Sequence, residues 1–529
     1  MIVLQNISYF HPNKELLFSD VHLTVGAHEK IALIGNNGTG KSTLLKIITG
    51  KLSPAGGQMT VRAKTYMVPQ VFGQYDHLTV AEALQVSARL QALKAILGGD
   101  TAAAHFDMLA DDWTLEERCR EALEYWQLHS LELDQQMASL SGGQKTRVFL
   151  AGISIHQPEL VLLDEPSNHL DAGGRQLLYD YILSAKCPMI IVSHDRKLLN
   201  LPDKVCELSR NGIKVYGGNY DFYLEQKHIE LQAVAHDIGS KEAALRKARE
   251  KERESMERQQ KLDARGRGKQ EKAGVAHIMM NTLRNNAENS SARQKNTHAE
   301  KIDGISQELK ALRATVPDMD KMKLDFADTA LHKSKVLFSA VEVNVCYGDV
   351  PLWTEPLSLQ LSGRERIALK GRNGAGKTTL LRLITGALQP ASGRVYSAIR
   401  NAVYIDQEYT LIDNDLSVYG QTVSFNTSGL EEHEIKIRLT RFLFSSADWD
   451  KPCSALSGGE RMRLVLCCLT LGREAPDLII LDEPTNNLDI QNVGILTAAV
   501  NSYEGALVVV SHDAAFLEDI RIDRTVSLP

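Results

Sequence analysis

The sequence predicts an α/β protein in which two copies of one parallel-stranded domain are joined by a long antiparallel α-helical hairpin. Three observations predict it. A glycine-rich loop between an apolar strand and an amphipathic helix occurs twice. The motifs that follow each loop recur in the same order. Between the copies lies a charged stretch of strong helix formers with almost no β-branched runs. Length agrees, since 529 residues exceed a single core, which stops growing at roughly 250–300 residues.

The repeat sets the domain boundaries. Gly35-Asn-Asn-Gly-Thr-Gly-Lys41-Ser42 returns as Gly371-Arg-Asn-Gly-Ala-Gly-Lys377-Thr378. Leu140-Ser-Gly-Gly-Gln144 returns as Leu456-Ser-Gly-Gly-Glu460, and Leu162–Asp171 returns as Ile480–Asp489. Val192-Ser-His194-Asp195 returns as Val510-Ser-His512-Asp513. Glu165 and His194 are 29 residues apart, as are Glu483 and His512. The interval from Gln70 to Ser141 is 71 residues against 50 from Gln407 to Ser457, which assigns about 20 extra residues to the first copy, within Ala92–Glu117. The copies are expected at 1–222 and 336–529, with a basic helical-hairpin linker at 223–335.

In the linker, Lys241–Gln260 is built mostly from the strong helix formers Lys, Glu, Arg, Ala and Gln. Glu242 supports Arg246 one turn on, whereas Glu250 and Glu254 repel. Gly266, Gly268 and Gly274 are expected to interrupt the first helix, with a second running to about Leu312. Forty helical residues span roughly 60 Å, far more than a connector needs. Residues 241–300 hold 15 Lys and Arg against 9 Asp and Glu, a net of +6, which leaves −12 for the rest of a chain whose total is −6. The whole-chain balance disfavours a polyanion partner, but the linker alone favours one.

Composition excludes other classes. No apolar run approaches the ~18 residues of a transmembrane helix. The opening residues lack the basic segment and long apolar core of a secretory signal. Seven cysteines in no CxxC pattern are expected to be reduced thiols, which fits a cytoplasmic location.

The loops carry phosphate chemistry. Gly35, Asn36, Asn37, Gly38, Thr39, Gly40, Lys41, Ser42 and Thr43 follow the apolar run Ile31–Ile34 and open a helix. Gly371, Arg372, Asn373, Gly374, Ala375, Gly376, Lys377, Thr378 and Thr379 follow Ile367–Leu369 in the same way. Such a loop curls its backbone N–H groups around phosphate oxygens at a helix N-terminus. Lys41 and Lys377 are placed to neutralise β- and γ-phosphate charge, and the Ser42 and Thr378 hydroxyls to ligate Mg²⁺. Two apolar strands then end in paired carboxylates, Asp164-Glu165 and Asp482-Glu483. Asp164 and Asp482 suit the metal, whereas Glu165 and Glu483 suit a base that orients the attacking water.

Together, the phosphate loop, LSGGQ, LLDEP, Leu-Asp and Ser-His-Asp motifs resemble the ATP-binding-cassette ATPases, across nearly all of both terminal domains. The resemblance implies two P-loop ATP-binding-cassette domains that bind ATP and Mg²⁺ and hydrolyse ATP to ADP and phosphate. It assigns Gln70 and Gln407 to the Q-loop that reaches metal and water, and His194 and His512 to the switch histidine at the γ-phosphate. Asp171 and Asp489 match the aspartates that communicate across the cassette dimer. In such a dimer Ser457, Gly458 and Gly459 complete the site built on Lys41, and Ser141, Gly142 and Gly143 the site built on Lys377. Glu460 departs from the family's glutamine and leaves that contact intact. Tyr347, 24 residues before Gly371, fits an adenine-stacking aromatic; the same spacing in the first copy lands on His11, and a one-residue loop difference would give Phe10.

Two fused cassettes with a charged helical hairpin between them are similar to the ABC-F class, and Val215–Tyr223 resembles the motif that leads into the linker of that class. That resemblance implies a monomeric chain with an intramolecular cassette dimer that binds the ribosome as a translation factor or antibiotic-protection protein. It places the hairpin tip against rRNA and peptidyl tRNA. Candidate tip residues are Arg265, Arg267, Lys269, Lys272, Arg284, Arg293 and Lys295, with Met279, Met280 and Leu283 packing between the helices or on RNA. The chain stops soon after His512, so the C-terminal extension of some relatives is not expected. Two other readings stay open: a DNA-associated ATPase, and a soluble ATP-binding subunit of a separately encoded transporter.

Overall fold

The computed structural model describes residues 2–12, 14–270, 296, 299–313, 331–348, 350–371, 374–486 and 488–528, with backbone alone at 259–260 and 262–270. The chain divides into two compact units, Met1–Asp221 with Lys321–Pro529, and Phe222–Asp320.

The first cassette opens with β1 (Ile2–Phe10), β2 (Leu16–Val25) and β3 (Lys30–Ile34), which runs through the glycine loop into the helix Lys41–Ile48. Then follow β4 (Gly56–Val61), β5 (Thr65–Val68), β6 (Leu160–Asp164), β7 (Met189–Val192), β8 (Lys204–Ser209) and β9 (Gly212–Tyr216). One sheet has the order β5-β6-β7-β3-β8-β9 and is parallel except for β9. A second, antiparallel sheet has the order β2-β1-β4.

Strand β6 shows why the apolar run preceding the carboxylates is unbroken. Successive side chains of a strand point to opposite faces. Leu160 and Leu162 pack with Phe18, Leu44 and Leu45, between the two sheets and the loop helix. Val161 and Leu163 pack with Phe149, Leu150 and Trp126 on the other face. A parallel strand covered on both sides needs an apolar residue at every position.

The second cassette repeats the plan with β10 (Val336–Asn344), β11 (Cys346–Tyr347), β12 (Val350–Pro351), β13 (Leu357–Ser362) and β14 (Arg366–Lys370). These are followed by β15 (Ser392–Ser397), β16 (Ala402–Ile405), β17 (Leu478–Asp482), β18 (Ala506–Val510) and β19 (Arg524–Ser527). Its all-parallel sheet has the order β16-β17-β18-β14-β19, and its antiparallel sheet β13-β10-β15. Leu478 and Ile480 face one cluster while Ile479 and Leu481 face the other. The additional residues of the first cassette add helices: before Ser141 it has Val80–Ala83, Ser87–Leu97, Ala103–Leu109 and Leu115–Tyr125, whereas before Ser457 the second has Val418–Ser424 and Glu432–Arg441.

In each cassette the strand that feeds the phosphate loop, the strand that ends in the carboxylates and the strand that ends before the histidine are close neighbours. The orders are β6-β7-β3 and β17-β18-β14. Because these strands are parallel, their three C-terminal ends meet at one edge, the usual ligand position in open α/β sheets.

The described residues of the unit Phe222–Asp320 are helical. The helix Tyr220–Gln270 has 51 residues, roughly 76 Å of rise, and the helical stretch 299–313 lies beside it. Lys241 pairs with Glu308, and Arg313 Nη2 donates to Glu242 Oε1 at 2.5 Å, while Leu309 is buried. Contrary to the sequence expectation, Gly266 and Gly268 do not interrupt the first helix, which continues through both. Each glycine costs about 1 kcal/mol in a helix, which Lys, Arg, Ala and Gln neighbours offset. Gly274, Lys272, Met279, Met280, Leu283, Arg284, Arg293 and Lys295 lie outside the described residues, as do the side chains of Arg265, Arg267 and Lys269.

No helix among the described residues is long and apolar enough to cross a membrane. All seven cysteines are free, and five of them are buried as small apolar groups.

Leu162 is fully buried between the sheets, so Leu162→Ala opens a cavity and is expected to cost about 2–5 kcal/mol. A lowered urea midpoint, with an unchanged slope, is the expected readout.

Candidate active site

Each phosphate loop turns into its helix through a glycine in the left-handed region, Gly40 at φ 97° and Gly376 at φ 86°. Neither position tolerates a side chain. A Cβ on Gly40 would stand 2.8 Å from Phe18, and one on Gly376 would stand 2.6 Å from Leu352. The N-cap residues Gly40 and Gly376 have no side chain to cap either helix, which leaves the first N–H groups for another acceptor. Lys41 Nζ donates to the carbonyls of Gly35 at 2.6 Å and Asn36 at 3.2 Å, and Lys377 Nζ to Gly371 at 2.8 Å. The lysines therefore lie along the loops they are expected to serve. Burial lowers the Lys41 ammonium, opposed by the charges of Glu165, Asp489 and Asp164.

The carboxylates stand at the C-terminal ends of β6 and β17. Glu165 and Glu483 adopt φ 51° and 49°, a conformation that is strained for a non-glycine residue and collects at functional sites. Their backbone N–H groups are anchored to Val192 O at 2.9 Å and Val510 O at 2.8 Å, on the strands that lead to the histidines. The His194 N–H donates to Glu165 Oε2 at 3.2 Å, and the His512 N–H to Glu483 Oε2 at 3.3 Å. The imidazole Nε2 atoms stand 3.2 Å and 3.4 Å from the Oε1 atoms of Glu165 and Glu483. Burial raises both carboxyls to about 7 and lowers His194 to about 3 and His512 to about 4. A carboxyl near 7 beside a neutral imidazole suits a base that works near neutrality.

Asp164 is pushed up to about 6 by burial, against a hydrogen bond from Ser42. Its Oδ1 is buried and accepts no hydrogen bond. An orphaned carboxylate oxygen next to a loop hydroxyl is a donor set that fits a small hard cation. In the second cassette Tyr404 OH donates to Asp482 Oδ2 at 2.7 Å. The two sites therefore differ at this point, because Met67 holds the Tyr404 position in the first.

In the first cassette a cleft of about 360 Å³ gathers His11, Asn37, Gly38, Gly40, Lys41, Ser42, Thr43, Gln70, Asp164, Glu165 and His194. Phe10 does not line it and is largely exposed. Gln407 instead lines a separate cavity of about 400 Å³ with Tyr409, Gly458, Arg461 and Asn486. Tyr347 is exposed, and its hydroxyl lies 3.0 Å from Thr379 Oγ1 on the loop helix. Arg372 and Asn373 are outside the described residues. Ser141 and Ser457 cap the helices Gly142–His156 and Gly458–Leu469. Glu460 completes the second cap by accepting from Ser457 N at 2.8 Å and from Ser457 Oγ at 2.6 Å, with Lys451 Nζ at 2.8 Å.

The two cassettes touch through these elements. Asn37 N donates to Asp489 Oδ2 at 3.0 Å, which sets an aspartate of the second cassette on the first phosphate loop. Asp171 is held within its own cassette by Arg147 Nη2 at 2.8 Å. Sequence reasoning missed Arg147, Arg175 and Tyr404. Aligning the two copies position by position would have exposed the last two, since Val493 and Met67 are their counterparts.

Fold and site define a protein with two P-loop nucleotide-hydrolysing domains in tandem. The family model described as ABC transporter matches residues 18–168 and 354–486. YdiF of Bacillus subtilis, named for ATP binding, is 31% identical, over 96% of this chain and 77% of its own length. ABC transporter F family member 5 of Arabidopsis thaliana is 29% identical, over 100% of this chain and 75% of its own. Among solved structures, a chain from the complex of an archaeal ribosomal stalk protein with the archaeal ribosome recycling factor aABCE1 matches with a TM-score of 0.60. Its identity is 19%, over 99% of this chain and 87% of that chain, a likeness of fold. The chain belongs to the ABC-F class of ATP-binding-cassette ATPases.

Glu165 and Glu483 bind protons more readily in the folded chain than unfolded, since about 7 lies above the ordinary 4.5. Stability contributed by their neutral forms is therefore present below pH 4.5 and is lost as pH rises through 7. Glu165→Gln/Glu483→Gln is expected to raise the melting temperature at pH 8 by several degrees and to change it little at pH 4.5. Paired thermal melts of the two proteins at both pH values check this.

Proposed function

We propose that this ATPase acts on the ribosome as a translation factor, with ATP held at two composite interfacial sites and the linker as its RNA-contacting arm. The observation that carries the reading is the charge contrast along the chain: a net +6 over 241–300 between two cassettes that are otherwise acidic. Lys and Arg on a helical arm suit rRNA and tRNA phosphates, while an acidic body is repelled by them. The likeness to a structure of an archaeal ribosome recycling factor with a ribosomal stalk protein agrees with a translation role. The working division is 1–222, 223–335 and 336–529, in a monomeric chain of the cytoplasm.

In this reading each phosphate loop cradles the ATP phosphates with backbone N–H groups, and Lys41 or Lys377 turns from its loop carbonyls to the β- and γ-oxygens. Ser42 with Asp164, and Thr378 with Asp482, would hold Mg²⁺, joined by Gln70 and Gln407; the ion supplies charge neutralisation on the phosphates. Glu165 and Glu483 accept a proton from the attacking water, and neutral His194 and His512 donate one hydrogen bond to the γ-phosphate. Ser457–Gly459 close over the Lys41 site and Ser141–Gly143 over the Lys377 site. Asp171 and Asp489 link the sites, and the Asp489 contact with Asn37 supports that crossing. Tyr347 stacks on adenine in the second site, and His11 is favoured over Phe10 in the first because it lines the cleft.

Closure by ATP holds the bound form, and hydrolysis releases it. Glu165→Gln/Glu483→Gln with ATP is therefore expected to co-sediment with ribosomes in a sucrose gradient, at least tenfold more than without ATP. Equal recovery with and without ATP, or retention on DNA over ribosomes at matched salt, would count against the reading.

A further inference from the structure

The helix Ala172–Ser184 follows Asp171 in the first cassette and carries Arg175, a cation left only 9% exposed. A buried guanidinium requires partners. Arg175 finds them in both cassettes. Its Nε donates to Leu170 O at 3.2 Å, and Nη1 lies 3.8 Å from Asp195 Oδ2, both in the first cassette. Nη1 also reaches the carbonyl of His512, in the second, at 3.5 Å. Tyr179 OH steadies Asp195 Oδ2 at 2.5 Å, so the anion beside Arg175 is itself fixed. A further pair, Arg196 Nη1 to Asp519 Oδ2 at 3.0 Å, also joins the first cassette to the second.

His512 is the residue whose backbone N–H donates to Glu483. One peptide segment thus receives the Arg175 guanidinium on its carbonyl and presents its N–H and imidazole to the base. The counterpart of Arg175 in the second cassette is Val493, which has no donor to offer to His194.

We infer that Arg175 is a positioning residue for ATP hydrolysis in the second cassette, supplied by the first: it holds the His512 segment against Glu483, a support the Glu165 site does not receive from Val493. The two sites are thereby made unequal, and the second depends on contact between the cassettes. The inference rests on the assignment of Glu165 and Glu483 as the two bases.

Single-turnover hydrolysis in full-length protein separates the sites, with Glu165→Gln leaving the second active and Glu483→Gln the first. Arg175→Met is expected to slow the Glu165→Gln protein about tenfold and the Glu483→Gln protein less than twofold. Equilibrium binding of a fluorescent ATP analogue is expected to change less than twofold in both. Arg175→Lys, which keeps a cation and one usable donor, is expected to recover part of the loss. Equal slowing in both backgrounds, or none in the Glu165→Gln background, overturns the role of Arg175. Undiminished turnover in Glu165→Gln/Glu483→Gln would instead overturn the assignment of the bases, and this role with it.

Discussion

The adjacency of three parallel strands, buried on both faces, is the constraint from which the rest follows. In the order β6-β7-β3 the chain brings Asp164-Glu165, His194 and the Lys41 loop to one edge, although the loop precedes the other two by more than a hundred residues of sequence. The ladder permits this only because Leu160–Leu163 satisfy apolar packing above and below the sheet at every step. The same order, β17-β18-β14, builds the second site. Chemistry at the edge is costly to maintain. Two glutamates sit in left-handed backbone, carboxyls are desolvated and a lysine is buried, so the apolar sheet has to offset local strain.

Duplication has not produced identity. Asp482 is engaged by Tyr404, whereas Asp164 keeps an orphaned oxygen beside Ser42. Asp489 crosses to the opposite phosphate loop while Asp171 is held at home by Arg147. Arg175 reaches into the second site, and Val493 has no means to return the contact. These differences all lie where one cassette meets the other or at the strand-end aspartates Asp164 and Asp482. The two sites are therefore not built alike, although both keep lysine, paired carboxylates and histidine.

The linker shows where local rules stop. Glycine is a poor helix residue, and three of them in a short stretch suggested a break. The helix nevertheless runs through Gly266 and Gly268, since a penalty of about 1 kcal/mol per glycine is small against many favourable neighbours. Its partner stretch is fixed by Lys241 with Glu308, Arg313 with Glu242 and the burial of Leu309, a set that no local pattern specifies.

The sequence by itself determined the duplication, the α/β class, the helical linker and nearly every residue of the two loops, because each is written in local spacing: a glycine loop between strand and helix, an apolar run ending in two carboxylates, a Ser-His-Asp after another strand. Tertiary structure alone decided which side chains meet at which site. The Asn37–Asp489 and Arg175–His512 contacts join residues 452 and 337 positions apart. Tyr404 and Asp482 meet only because β16 lies beside β17. Local propensity reports on a few turns of chain, whereas these pairings depend on strand order and on how two separately folded copies pack. For that reason the different contacts of the two sites are visible only with the cassettes together.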